Sequence, residues 1–168
     1  MALVDVTNLN LGPCQVFWNN VDLGYHRGAT LQYNEVYEEI KAEDHGEILY
    51  DRILKEKSCQ VTVTFNEVVI DLLEEVLINS TTLSSPTRLR IGTDPNVTQR
   101  SLARLLRLHP INSVGFADDV YLFKALPYPP HLWTYNNDDR TVMVLFKALQ
   151  HSSFSPGLFQ IGGINQWS

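Results

Sequence analysis

The sequence predicts a mainly β fold, an antiparallel β-sandwich or barrel flanked by one α-helix. Three observations carry that prediction. Apolar and polar residues alternate with a period of two in several segments. The breaks between those segments are Asn-, Gly- and Pro-rich, as hairpin turns require. One segment alone shows a clear helical period. With 168 residues, 44% hydrophobic and 19% charged, residues 1–168 suit a single domain with a packed core.

The elements follow in order. Val16-Phe17-Trp18, then Asn19-Asn20, then Val21-Asp22-Leu23-Gly24 predict a tight hairpin, because Asn tolerates the positive φ of primed turns. Ala29, Leu31 and Tyr33 alternate with Thr30, Gln32 and Asn34, which predicts a half-buried strand extending to about Ile40. Residues 35–56 hold eight acids and three bases, and residues 42–55 are expected to form a long, exposed, acidic loop. In 58–65, Cys59, Val61, Val63 and Phe65 face one way, and Gln60, Thr62 and Thr64 the other. Val69, Leu72, Leu73, Val76 and Leu77 then fall on one helical face, predicting a helix over about 66–78 with Thr64 or Asn66 as its cap.

Further along, 80–86 reads as a polar loop, 88–91 as a short strand and 92–96 as a turn. Residues 98–109 fit either a helix, on Leu102, Leu105 and Leu106, or a strand, on Leu102, Arg104, Leu106 and Leu108. Strands are expected at 120–126 and 141–149. They are separated by Pro127-Tyr128-Pro129-Pro130, which a central strand does not accommodate. The tail, 150–168, carries Phe154, Leu158, Phe159, Ile161 and Trp167 and is expected to pack on a neighbour. So many polar-faced strands leave sheet edges that call for protection or pairing, which points to assembly.

Composition narrows the function. The net charge of −6 disfavours tight nucleic-acid binding, whose affinity comes largely from basic side chains on phosphate. The first basic residue is Arg27, so no signal peptide is expected, and no apolar run reaches the length of a membrane span. Cys14 and Cys59 suit reduced thiols, with a single bridge within or between subunits left open. Phosphate-loop, dinucleotide, zinc-protease and Cys-x-x-Cys motifs are absent. Asp44-His45 and Asp118-Asp119 could enter acid–base chemistry, but they read more simply as loop and turn residues. No enzyme, cofactor or metal site is expected.

Two charged poles remain. Acids cluster at Glu38, Glu39, Glu43, Asp44, Glu47 and Asp51, whereas Arg88, Arg90, Arg100, Arg104 and Arg107 face only Asp94 between 88 and 107. An acidic patch on one copy meeting a basic patch on the next gives heterologous association into rings or filaments. Two ordinary solvated faces would also account for the pattern.

The order of these segments resembles the major tail tube proteins of long-tailed bacteriophages. The likeness rests on Gly12-Pro13-Cys14-Gln15-Val16-Phe17-Trp18-Asn19-Asn20-Val21-Asp22-Leu23-Gly24-Tyr25, on the strand from Ala29 to Tyr37, and on the acidic stretch ending Asp44-His45-Gly46-Glu47-Ile48-Leu49-Tyr50-Asp51. It continues in the strand-to-helix run from Cys59 to Leu77, in Tyr121-Leu122-Phe123-Lys124-Ala125, and in Val142-Met143-Val144-Leu145-Phe146-Lys147-Ala148-Leu149. It covers most of 12–150 and rests on order and spacing; 79–117 and the last eighteen residues match nothing in it.

The resemblance implies a structural virion protein of the phage tail, assembled in the bacterial cytoplasm. Six copies would form a ring with a continuous inner β-barrel, and stacked rings would form the conduit for double-stranded DNA. Type VI secretion tubes share that architecture. Implied partners are further copies, the tape measure, terminator and baseplate proteins, and a sheath in contractile tails. Thr30, Gln32, Asn34, Glu35, Gln60, Thr62 and Thr64 would line the lumen, where uncharged or acidic walls let DNA slide. Residues 42–55, with Glu38, Glu39, Glu43, Asp44, Glu47, Asp51, Arg88, Arg90, Arg100 and Arg104, would make inter-ring or inter-subunit contacts. The alternatives are a related ring component, such as a tail terminator or neck protein, and a small-ligand-binding β-barrel.

Overall fold

Nine strands, one turn of helix and three further helical residues, Leu73, Glu74 and Val76, are the regular elements in the described part of the computed structural model. That part comprises residues 2–41, 49–66, 73–74, 76–77, 80–84, 87–91, 99–135, 140–150 and 157–162. The strands are β1 (Ala2–Trp18), β2 (Val21–Lys41), β3 (Leu49–Phe65), β4 (Ser80–Ser84), β5 (Thr87–Ile91), β6 (Arg104–Pro110), β7 (Val120–Tyr135), β8 (Arg140–Ala148) and β9 (Gln160–Ile161). Helix α1 is Gln99–Leu102. The main sheet runs β6-β1-β2-β3-β8-β7-β9, and β6 also pairs with β7. Six antiparallel strands therefore close into a barrel within one chain. β4 and β5 form a separate hairpin.

Closure corrects one expectation. The sequence suggested that the sheet is completed by pairing with copies; in the barrel, β6 and β7 complete it through Arg104–Leu108 against Val120–Ala125. A six-stranded barrel is narrow enough for its own side chains to fill. Val16, Leu106, Leu108, Leu122, Val144 and Phe146 are each at most 1% exposed. Trp18 lies over Phe146 with ring centroids 5.2 Å apart.

The hairpin at Asn19-Asn20 forms as expected. Both residues are left-handed (φ 51° and 65°), and Trp18 pairs with Val21, which is the primed two-residue turn. Cys59, Val61, Val63 and Phe65 are buried while Thr62 and Thr64 are not, so the period-two reading of 58–65 holds. In the expected helix, Leu73, Glu74 and Val76 are helical and the Leu77 N–H donates to the Leu73 carbonyl at 2.8 Å. Leu73 and Val76 enter the core; residues 67–72, 75 and 78 lie outside the described set, and Thr64 is still in β3.

Four boundaries differ from expectation. Strand β3 begins at Leu49, so 49–55 is strand and not loop; 42–48 lies outside the described residues, as does the turn expected at 92–96. Residues 80–84 are strand, because Ser80–Ser84 pairs with Thr87–Ile91. Within the ambiguous 98–109, residues 99–102 are α1 and 104–109 belong to β6, while 98 lies outside the described residues. Strand β7 runs through the prolines. Between Tyr128 and Leu132 its register against β8 shifts, and β6 has already ended opposite Ala125. Pro129 and Pro130 thus sit in a bulge on a strand paired on one side, where no ladder N–H is required of them.

Beyond the barrel, β1, β2 and β3 continue together. β1 meets β6 only from Cys14 to Trp18, and β3 meets β8 only from Gln60 to Phe65. The rest of β1 and β3 stays paired to β2, with Ala2 opposite Glu38 and Leu49 opposite Lys41. This three-stranded arm runs about 35 Å at ~3.4 Å per residue. The described part of the tail returns to its own chain: β9 pairs with the start of β7, and Phe159 meets the Tyr33 ring edge-on at 5.4 Å.

Candidate assembly surface

The two margins of the arm are bare strand edges. Residues 2–11 of β1 and 49–59 of β3 have no strand partner on their outer sides among the described residues. They lie on opposite sides of β2 and have similar lengths. Each presents a row of backbone donors and acceptors that another strand can complete.

Register assigns the faces. Thr30 pairs with Thr62, Gln32 with Gln60, and Gly28 with Thr64. Because Ala29, Leu31, Val61 and Val63 point into the core, the intervening polar residues point out. Gln60 Nε2 donates to Gln32 Oε1 at 2.5 Å, and Asn34 Nδ2 donates to Ser58 Oγ at 3.4 Å. Six of the seven sequence-nominated wall residues, Thr30, Gln32, Asn34, Gln60, Thr62 and Thr64, therefore share one outward face without charge. On the arm the same face carries Glu38 and Glu56. Its described bases are held: Lys55 Nζ pairs with Glu38 at 2.6 Å, and Lys147 Nζ sits over the Tyr128 ring at 3.6 Å.

Glu35 is the seventh, and the structure puts it on the opposite face. There it accepts from the Tyr33 hydroxyl at 2.5 Å and from the Tyr37 hydroxyl, and it pairs with Lys57 at 3.2 Å. The two phenol hydrogen bonds, with help from Lys57, hold its carboxyl down at about 2. Burial and the Glu35 contact raise the Tyr33 phenol.

The nominated contact residues divide. Glu39 faces Arg52 at 3.7 Å and Glu38 faces Lys55, so both acids are already matched across the β2–β3 ladder. Asp51 is exposed and accepts from the Arg52 backbone N–H at 2.7 Å. Glu43, Asp44 and Glu47 lie outside the described residues. Arg88 and Arg90 are on β5; Arg90 is exposed. Arg100 donates to the Gln150 carbonyl at 3.3 Å, and Arg104 to the Ser101 carbonyl at 2.6 Å. The arginines thus come from a hairpin, a helical turn and a barrel strand.

Sequence reasoning missed one cluster. Asp119, not its neighbour Asp118, is 0% exposed, and it gathers three side chains from β6 and β7. His109 Nδ1 lies 2.5 Å from its Oδ1, the Tyr121 hydroxyl donates to it at 3.1 Å, and Arg107 Nε stands 3.9 Å away. Arg107 also lies 3.9 Å from the Phe17 ring centroid. The available signal was strand parity: His109, Arg107 and Tyr121 lie two apart along paired strands. A buried carboxylate needs such partners. The group braces the β6–β7 connection, since the Gly162 N–H donates to the Asp119 carbonyl at 2.9 Å and ties β9 to the same place.

Both thiols are free and buried. Burial, with the Asp119 charge, raises Cys14 to about 11, and burial raises Cys59 to about 12. Among the described residues no three His, Cys, Asp or Glu side chains gather to hold a metal, and no helix is long and apolar enough to cross a membrane. No protein-family model matches the chain, and no curated protein matches its sequence.

Proposed function

We propose that this chain is a self-assembling structural protein of the tail tube kind, whose copies join through the arm. The bare β1 margin of one copy adds to the bare β3 margin of the next, a heterologous contact that closes into a ring. Stacked rings, six copies each on the resemblance, make a tube of the long-tailed phage type. The face that carries Thr30, Gln32, Gln60 and Thr62 turns toward the lumen and lets DNA pass without gripping it.

The observation that carries this reading is the pair of bare, opposed margins on an arm whose outward face holds no unpaired Lys or Arg among the described residues. A two-sided edge of this length is an aggregation hazard in a monomer, and proteins keep one when something is meant to cover it. The barrel interior is filled with side chains, which removes the main support for the ligand-barrel alternative.

Negative-stain microscopy of the purified chain tests the proposal. Long tubes support it, single rings support the terminator alternative, and a monodisperse monomer at high concentration overturns it. Ile53→Pro, placed on the β3 margin, should abolish polymers while leaving the far-ultraviolet spectrum and the unfolding midpoint of the barrel nearly unchanged. Polymers that persist in that variant overturn the assignment of the edge.

A further inference from the structure

Where β1 parts from β6, the barrel wall holds a buried imidazole. His26 is 2% exposed, and neither of its ring nitrogens has a hydrogen-bond partner. It pairs with Cys14 on β1 and with Phe65 on β3, whose ring it meets edge-on at 6.3 Å. Cys14 is the first β1 residue to pair with β6, opposite Pro110. The β1–β2 register shifts between Gly12 and Cys14, and the β2–β3 register shifts between His26 and Gly28. Such shifts bend strands, so His26 sits inside the bend where β1 leaves the barrel.

We infer that His26 makes this bend an acid-sensitive hinge, closed while the ring is neutral and opened when it gains a proton. This inference stands on the joint alone and does not depend on the proposed assembly. The reason is electrostatic. A buried cation needs acceptors or a counter-charge, and beyond the Gly28 backbone, which offsets burial only in part, the groups facing His26 supply neither. From β3 comes Phe65, which does not titrate. From β1 comes the Cys14 thiol, which burial keeps protonated and which bonds to the Leu11 and Gly12 carbonyls. Past Cys14 lies Asp119, already engaged by His109 and Tyr121. On its own strand, Asp22 is exposed and bonded to Gln15. Burial lowers the His26 pKa below the ordinary imidazole value, with a partial offset from the Gly28 backbone.

The direction follows from linkage. The opened or unfolded ring binds protons below about 6.5, and the closed ring binds them only at lower pH. Closure is therefore strongest above pH 6.5 and weakens as pH falls through the interval between those two values. The opening constant rises at most tenfold per pH unit, the limit for one proton.

Hydrogen exchange of the full-length chain, corrected for the intrinsic pH dependence of exchange, tests this between pH 7.5 and 5. Amides of residues 10–16 and 26–30 should lose protection on acidification, approaching tenfold per unit, before those of β7 and β8 do. In His26→Phe the loss should vanish, whereas His109→Gln should retain it. An acid response that survives in His26→Phe overturns the hinge, as does one that disappears only in His109→Gln. Should His26→Phe fail to fold, an NMR titration of the wild-type ring decides: a folded-state pKa below 6.5 supports the hinge, and one at or above 6.5 overturns it.

Discussion

The same three strands build two regions of opposite character. Along β2 the inward-facing positions read Ala29, Leu31, Tyr33, Glu35, Tyr37 and Glu39. In the barrel these are buried and apolar. Where β6 and β8 stop, the row alternates aromatic and acidic residues, the acids matched across the ladder by Lys57 and Arg52. The barrel is held by burial, at about 25 cal/mol per Å² of apolar surface removed from water. The arm has no core of its own and relies on cross-strand pairs worth roughly 0.2–1 kcal/mol each. A domain whose strands outrun its core in this way is stable in one part and conditional in the other. Its conditional part is the one with bonding capacity to spare.

The contrast can be broken most forcefully from the barrel side. Phe146 is 0% exposed and packs on Trp18. Phe146→Ala should cost about 3–5 kcal/mol of unfolding free energy through lost burial and a residual cavity. Urea denaturation followed by tryptophan fluorescence measures it. A loss below about 1 kcal/mol would mean the barrel is not the stable region. The next effect is at Asp119. Asp119→Ala leaves His109, Tyr121 and Arg107 facing a void and should cost roughly 2–4 kcal/mol. Its exchange signature should be local, concentrated at 105–110, 119–122 and 160–162.

The effects shrink on the outward face. Thr30→Lys with Thr62→Lys places two cations opposite each other on β2 and β3. Surface changes of this kind move stability by roughly 0.5 kcal/mol. If that face lines a DNA conduit, the double variant should bind duplex DNA in a salt-dependent manner that the wild type does not show. Unchanged, negligible DNA binding by assembled double variant would place this face away from the lumen.

What the sequence revealed follows the same division. Wherever one face of a strand is buried, alternation was legible: Cys59, Val61, Val63 and Phe65, the Asn19-Asn20 turn, and the Leu73/Val76 face of the helix. The arm was not. Residues 51–57 lack a buried face, so their acids and bases imitate a solvated loop; only pairing with β2 makes them strand. The β7 prolines misled because a one-sided, bulged strand accommodates what a central strand does not. Closure through β6 and β7 was invisible, since a 16-residue strand that changes partners along its length leaves no local signature. Asp119 was hidden by its neighbour: one of two adjacent aspartates is buried, and strand parity, not composition, decides which. The outward polar face was legible except at Glu35, where one step in sequence means the opposite side of the sheet.

Glu35 gives the smallest and most specific test of the arm. It is the centre of the Tyr33–Tyr37–Lys57 group, and Tyr33 is also the residue that Phe159 touches at the arm's base. Its folded pKa of about 2 lies below the ordinary carboxylate value of 4.5. Its contribution is therefore complete above pH 4.5 and is lost as pH falls from 4.5 toward 2. Pepsin is active across that window and cleaves loosened strands. Wild type and Glu35→Gln, digested side by side, should differ most at pH 4.5, with the variant cut faster within 33–37 and 54–57. The two rates should converge as pH approaches 2, where the wild-type carboxyl is also protonated. A constant ratio at all pH values would show that the arm is held by its backbone ladder alone and that the Glu35 group adds nothing to it.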